Sequence, residues 1–381
     1  MTAPAPYQIH ATNAQLQDLR DRLHNTRWPE REVVDDWSQG TPLSYVQEVS
    51  TYWADQYDWR SREAALNRLT QWRGEAEGFG LHFVHMRSQH EHALPLLLSH
   101  GWPGSIVEFA KAIPSLLDPV AYGGKAEDAF HIVAPSLPGF GFSDKPKTPG
   151  TGVHRIATLF DSLMRGLGYD RYVAQGGDWG SVITTCIGAQ NLGACSAIHV
   201  NMPIGRPTAD DVNSADPDAR EGLAALQAYQ DWDSGYSKQQ ATRPQTIGYG
   251  LADSPAGQAA WILEKFWRWT DCDGHPENAL TRDELLDNIM MYWLPNTATS
   301  SARIYWESFG KPLLKETGPV KLPTGCSLFP KEIFRPPRQW AEREYANITY
   351  WNKLDKGGHF AAFEQPETFV DELRCFFREF R

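Results

Sequence analysis

Apolar positions along the chain fall into three successive patterns. Before about residue 80, Leu16, Leu19 and Leu23 recur at spacings of three and four, between aromatic, Pro-interrupted stretches around Trp28, Trp37, Trp53 and Trp59. That pattern predicts a helical, meandering segment over residues 1–80. From residue 81 the apolar runs become short, at 81–84, 94–98, 129–134, 172–175 and 197–200, with helix-length stretches such as 156–167 and 181–189 between them. Strands alternating with helices in this way imply a largely parallel sheet. From Pro203 to about Gly318 the strand signals stop, and Trp-rich helical spacing takes over at 223–229, 261–269 and 285–293. Residues 326–329 and 347–351 then read as the last two strands. Pro366 opens a closing helix whose apolar face is Phe369, Val370, Leu373, Phe376 and Phe377. The expected organisation is one α/β core in two parts, 81–202 and 319–381, interrupted by a helical cap over 203–318.

Composition narrows the partners. A net charge of −11 repels phosphate backbones and anionic lipid headgroups, and no basic run reverses it locally, so nucleic acid and membrane are not expected partners. The 15 Trp, 14 Tyr and 17 Phe suit an apolar pocket, although such rings also fill cores. Five scattered cysteines without a C-x-x-C pair suggest neither a disulfide framework nor a zinc site, which fits a reducing cytoplasm. The first six residues lack a basic region followed by an apolar run, and no apolar stretch reaches about 18 residues, so neither secretion nor membrane spanning is expected.

The chemistry concentrates at Gly176-Gly177-Asp178-Trp179-Gly180, between a strand-like run and a helix-like run. The pattern G-x-nucleophile-x-G is a nucleophile elbow, a tight turn that exposes its central side chain at a strand end, with Asp where Ser is usual. That choice is informative. Serine attacking a saturated carbon would form an ether that water does not readily cleave, whereas a carboxylate forms an ester that water can hydrolyse. An Asp178 nucleophile therefore points to two-step displacement at sp³ carbon. Alone, the same residues also fit a plain Gly-rich turn with Asp capping a helix.

Two further motifs supply context. His100-Gly101-Trp102-Pro103-Gly104 follows an apolar strand, where backbone N–H groups of Trp102 and Trp179 would converge on an oxyanion. Gly357-Gly358-His359-Phe360 follows the last strand, and His359 is the best general base of the 12 histidines by its position in chain order. Its orienting carboxylate is expected to be Glu332, after the preceding strand; Asp355 and Glu364 lie too near His359 in sequence to come from a neighbouring strand end.

Taken together the motifs resemble the epoxide hydrolases of the microsomal type, over nearly the whole chain. The resemblance rests on Arg27-Trp28-Pro29, Tyr57-Asp58-Trp59-Arg60 with Glu63 and Asn67, and residues 95–105, 135–143, 175–180 and 357–364. It implies an α/β-hydrolase fold, mostly parallel sheet flanked by helices, with an inserted helical cap and an N-terminal extension. It further implies Asp178 as nucleophile, His359 as water-activating base and Glu332 as its partner, in place of the Asp that many relatives carry. Two cap tyrosines, Tyr236 and Tyr305, would hold and protonate the oxirane oxygen. The implied reaction converts a small-molecule epoxide to a vicinal diol with no metal or organic cofactor, in detoxification or antibiotic biosynthesis, and the aromatic content suggests that the epoxide is bulky or aryl-substituted. Membrane-bound relatives begin with an apolar anchor that is absent here, and a homodimer is suggested by resemblance alone. The competing expectations are a haloalkane dehalogenase with the same Asp nucleophile and, in another class, a non-catalytic ligand receptor on the same fold.

Overall fold

Nine strands form a single sheet: β1 (Thr2–Tyr7), β2 (Gln71–Ala76), β3 (Phe79–Met86), β4 (Leu94–Ser99), β5 (Phe130–Pro135), β6 (Tyr172–Gly176), β7 (Cys195–Val200), β8 (Thr324–Leu328) and β9 (Ile348–Lys353). The computed structural model describes every residue except Met1, Ala215, Pro312, Lys315 and Glu316, and the side chain of Thr2. The spatial order is β1-β2-β3-β5-β4-β6-β7-β8-β9. Pairing is antiparallel from β1 to β5 through β3, and parallel from β5 onward. The central strands read as continuous apolar runs because helices cover both faces: Leu96, Leu97, Leu98, Val173 and Ala174 are wholly buried. The chain adopts the α/β-hydrolase fold.

Two strands fall where the apolar pattern predicts a helical meander. β1 carries Pro4 and Pro6, which offer no N–H to a ladder, and it survives as an edge strand paired only with β2. β2 buries only its ends, Gln71 and Ala76, so it shows no alternation. Its partner is fixed instead by the hairpin turn Glu77-Gly78, where φ is +46° and +78°. The rest of that segment is helical, at Asn13–His24, Leu43–Asp55 and Trp59–Leu66.

Between β7 and β8 the described residues contribute helices and no strand, among them Pro217–Ala228, Gly235–Thr242, Pro255–Trp269, Arg282–Trp293 and Ala298–Ser308. The N-terminal helices grip this inserted region. Tyr45 donates to Glu277 at 3.0 Å, Tyr52 to Asp283 at 2.7 Å and Tyr57 to Asp287 at 2.7 Å, and Arg62 pairs with Asp287. Each phenol crosses more than 200 residues of chain, so the N-terminal segment fixes the position of helices that roof the sheet. No helix among the described residues is long and apolar enough to cross a membrane.

Candidate active site

The turn from β6 into the helix Trp179–Gln190 holds Asp178 at φ 52° and ψ −128°, a conformation that L side chains rarely adopt. Only a very close approach of backbones permits it. A Cβ on Gly176 would lie 2.1 Å from the carbonyl oxygen of Gly180, and one on Gly180 would lie 1.8 Å from that of Ser99. The outer glycines are thus required by contact with neighbouring backbone, while a Cβ on Gly177 would meet only the Asn201 side chain, at 3.6 Å.

Four strand ends converge here, as expected for the carboxyl edge of a parallel sheet. The Trp102 N–H, after β4, donates to Asp178 Oδ1 at 2.7 Å. His359, after β9, places Nε2 3.3 Å from Asp178 Oδ2 and Nδ1 2.5 Å from Oε1 of Glu332, which follows β8. The loop carrying His359 is pinned by its own N–H, which donates to the Trp269 carbonyl at 2.8 Å. Glu332 Oε1 also accepts the Ile333 N–H at 2.7 Å. Burial disfavours a charged His359, yet the carboxylates of Glu332 and Asp178 outweigh it and hold the imidazole well above its ordinary value. Asp355 is exposed, and Glu364 accepts the N–H groups of Asp271 and Phe360, so it is Glu332 that bonds the His359 ring. Trp179 provides the first N–H of its helix, which has no helical acceptor.

Above the carboxylate stand two phenols from the inserted region. Tyr236 opens the helix Gly235–Thr242, and Tyr305 lies on Ala298–Ser308; their rings are 5.7 Å apart and both are buried. Trp102 stacks on Tyr236 at 5.0 Å, and Trp179 meets Tyr305 edge-on at 4.8 Å. The buried Tyr305 hydroxyl lines the cavity and makes no hydrogen bond of ordinary geometry among the described residues. Burial pushes both phenols well above their ordinary value, which keeps them protonated donors. A cavity of about 680 Å³ joins Asp178, Tyr236 and Tyr305 to apolar walls that include Val182, Met202, Ile204 and Phe309. All seven residues singled out from the sequence therefore sit at one place. No cluster of metal-ligating side chains occurs among the described residues.

Three neighbours escape the sequence reading. Tyr229 donates to Tyr236 Oη at 3.3 Å from a π-helical turn over Tyr229–Asp233. Glu108 is a buried carboxyl that burial raises to about 8. Lys265 is a buried ammonium 4.6 Å from the centre of the Tyr236 ring. Only Lys265 left a signal, as a charge within the helical stripe Gln258, Ile262, Lys265, Trp269.

Comparison with known proteins bears on the same surface. The family model described as Epoxide hydrolase N terminus matches residues 4–109, and that of the alpha/beta hydrolase fold matches residues 95–238. A protein of Stigmatella aurantiaca, whose name assigns it provisionally as an epoxide hydrolase, is 54% identical over 99% of this chain and 85% of its own. Epoxide hydrolase 1 of Sus scrofa is 33% identical over 97% of this chain and 88% of its own. The crystal structure of juvenile hormone epoxide hydrolase from the silkworm Bombyx mori superposes with a TM-score of 0.92 at 31% identity, covering 100% of this chain and 95% of that one. With an N-terminal segment, core and elbow all matched along their length, the chain belongs to the epoxide hydrolases of the microsomal type and is an epoxide hydrolase.

Proposed function

We propose that this epoxide hydrolase works through a covalent ester on Asp178. One carboxylate oxygen attacks an oxirane carbon while Tyr236 and Tyr305 donate to the oxirane oxygen, giving a hydroxyalkyl ester. His359, oriented by Glu332, then takes a proton from water, which attacks the ester carbonyl carbon. The N–H groups of Trp102 and Trp179 hold the oxyanion of the tetrahedral intermediate, which collapses to a vicinal diol and free Asp178. The observation that carries this reading is the position of Asp178: bonded to the Trp102 N–H, 3.3 Å from His359, and beneath two protonated phenols in one cavity.

We take residues 203–318 as the cap, because it supplies both phenols and much of the cavity wall. The apolar lining and the volume of about 680 Å³ suit a bulky or aryl-substituted epoxide. A haloalkane dehalogenase is the less favoured reading, since two buried phenols stand over Asp178 where a departing halide would be held by N–H donors.

The test is diol formation from styrene oxide by the wild type and by Asp178→Asn, with intact mass recorded for His359→Gln after mixing. Turnover lost in Asp178→Asn together with a substrate-sized adduct in His359→Gln supports the ester route. Normal turnover by Asp178→Asn with no adduct would overturn it.

A further inference from the structure

The helix Pro255–Trp269 presents Ile262, Phe266 and Trp269 to the interior, and Lys265 lies on the same buried side with its side chain 5% exposed. Burying an ammonium is costly unless something compensates it, and an aliphatic residue would fill the space without that cost. The nearest carboxylate is Glu264, the preceding residue, at 2.5 Å and itself partly exposed. What Lys265 otherwise meets is aromatic: Nζ lies over the Tyr236 ring at 4.6 Å and over the Trp269 ring at 5.4 Å. A cation over a ring face is attracted to its π electrons, and more strongly when desolvated.

The other groups described around Tyr236 bring no positive charge to it. Tyr229 and Tyr305 are phenols that face it from the preceding turn and from Ala298–Ser308, and Asp178 lies beneath it as a carboxylate. Of these Asp178 opposes negative charge on the Tyr236 oxygen, as burial does, while the two phenols are neutral and bring no positive charge. His359 stands behind Trp269, with ring centres 5.1 Å apart. Lys265, with Glu264 at its outer side, is the neighbour on the ring face whose charge favours proton release.

We propose that Lys265 is a positioning residue that sets the acid strength of Tyr236, by holding an ammonium over the ring that takes up negative charge as the oxirane opens. The proposal rests on the reading that Tyr236 is a proton donor. In that step the bond from the Asp178 oxygen to carbon forms as the ring carbon–oxygen bond breaks. The electron pair leaves on oxygen, which takes the Tyr236 proton. Negative charge then resides on the phenol beneath the ammonium until water returns a proton to it.

Rapid mixing with styrene oxide, following tryptophan fluorescence, separates binding, ester formation and ester hydrolysis. Lys265→Met is expected to slow ester formation at least 10-fold, to leave styrene oxide binding and ester hydrolysis within 3-fold, and to move the basic limb of ester formation to higher pH. Lys265→Arg recovers most of the rate. The double variant Tyr236→Phe/Lys265→Met is no slower than Tyr236→Phe, because the lysine acts through the phenol. Ester formation within 3-fold of wild type in Lys265→Met, an equal loss in both chemical steps, or full additivity in the double variant would overturn the proposal. Should Lys265→Met fail to fold, Glu264→Gln decides: removing the counter-charge strengthens the field of Lys265 and shifts the basic limb to lower pH, and an unmoved limb sinks the idea. Normal ester formation by Tyr236→Phe would sink the acid assignment itself, whereas a slow Tyr236→Phe beside a normal Lys265→Met sinks only the role of Lys265.

Discussion

Nε2 of His359 lies 3.3 Å from Oδ2 of Asp178. That separation is long for a hydrogen bond, and it places the imidazole beside the carbon that would become the ester carbonyl. A base so placed serves the second step only, because the attack of Asp178 on the oxirane needs no proton removed. His359→Gln should therefore form ester at nearly the wild-type rate and lose its hydrolysis by about 10²–10⁴-fold. Mass spectrometry of the mixed protein checks both halves, and slow adduct formation would contradict the division of labour.

The opposite ring nitrogen predicts a pH effect. Glu332 at 2.5 Å raises His359, and so does Asp178, whose charge disappears once it is esterified. Hydrolysis needs the neutral imidazole. Glu332→Gln removes a charge that stabilises the imidazolium, so the acid limb of ester hydrolysis should move to lower pH, while the plateau rate falls because the developing imidazolium loses its partner. Quenched-flow hydrolysis rates between pH 5 and 9 would show it, and a limb that moves upward would be incompatible with this arrangement. The same raised group links to stability. Its contribution is fully present below the ordinary value of 6.5 and is lost as pH rises through the folded one.

At the elbow two glycine positions, on either side of Asp178, should behave differently. Gly180→Ala would force a methyl to within 1.8 Å of the Ser99 carbonyl oxygen, whereas Gly177→Ala meets nothing closer than 3.6 Å. Thermal unfolding should show Gly177→Ala within about 1 kcal/mol of wild type. Gly180→Ala should lose about 3 kcal/mol or more and all activity, since β4, β6 and Asp178 must move together.

How much of this was legible in the sequence depends on the kind of constraint. Asp178, His359 and Glu332 announce themselves because each follows a strand in a fixed order, so chain position alone brings them to one sheet edge. Tyr236 and Tyr305 were reached through resemblance, because the helices that carry them pack on each other and are placed by contacts such as Ser300 with the Gly139 carbonyl, 161 residues apart, which no local pattern encodes. β1 and β2 were missed because prolines and a polar interior hide strands whose existence is decided by their partners. Glu108 gives no sign of its burial, since four residues of 3₁₀-helix are too short for a periodic signal.

Glu108 supports the last prediction. It sits on the turn Ile106–Phe109, which packs on Ala361–Glu364 just after His359, and its Oε1 has no hydrogen-bond partner among the described residues. Burial raises it from 4.5 to about 8, with a smaller opposing effect from His359. The folded state thus keeps a proton that the unfolded chain releases near pH 4.5, so the wild type binds more protons folded than unfolded between those values. By linkage its stability must fall as pH rises across that window. Glutamine has nearly the same shape and never ionises. The difference in melting temperature, wild type minus Glu108→Gln, should therefore be near zero at about pH 4 and become steadily more negative toward pH 8. A flat difference would mean that Glu108 is ionised in the folded protein, held by a partner that the desolvated carboxyl beside Gly104 does not have.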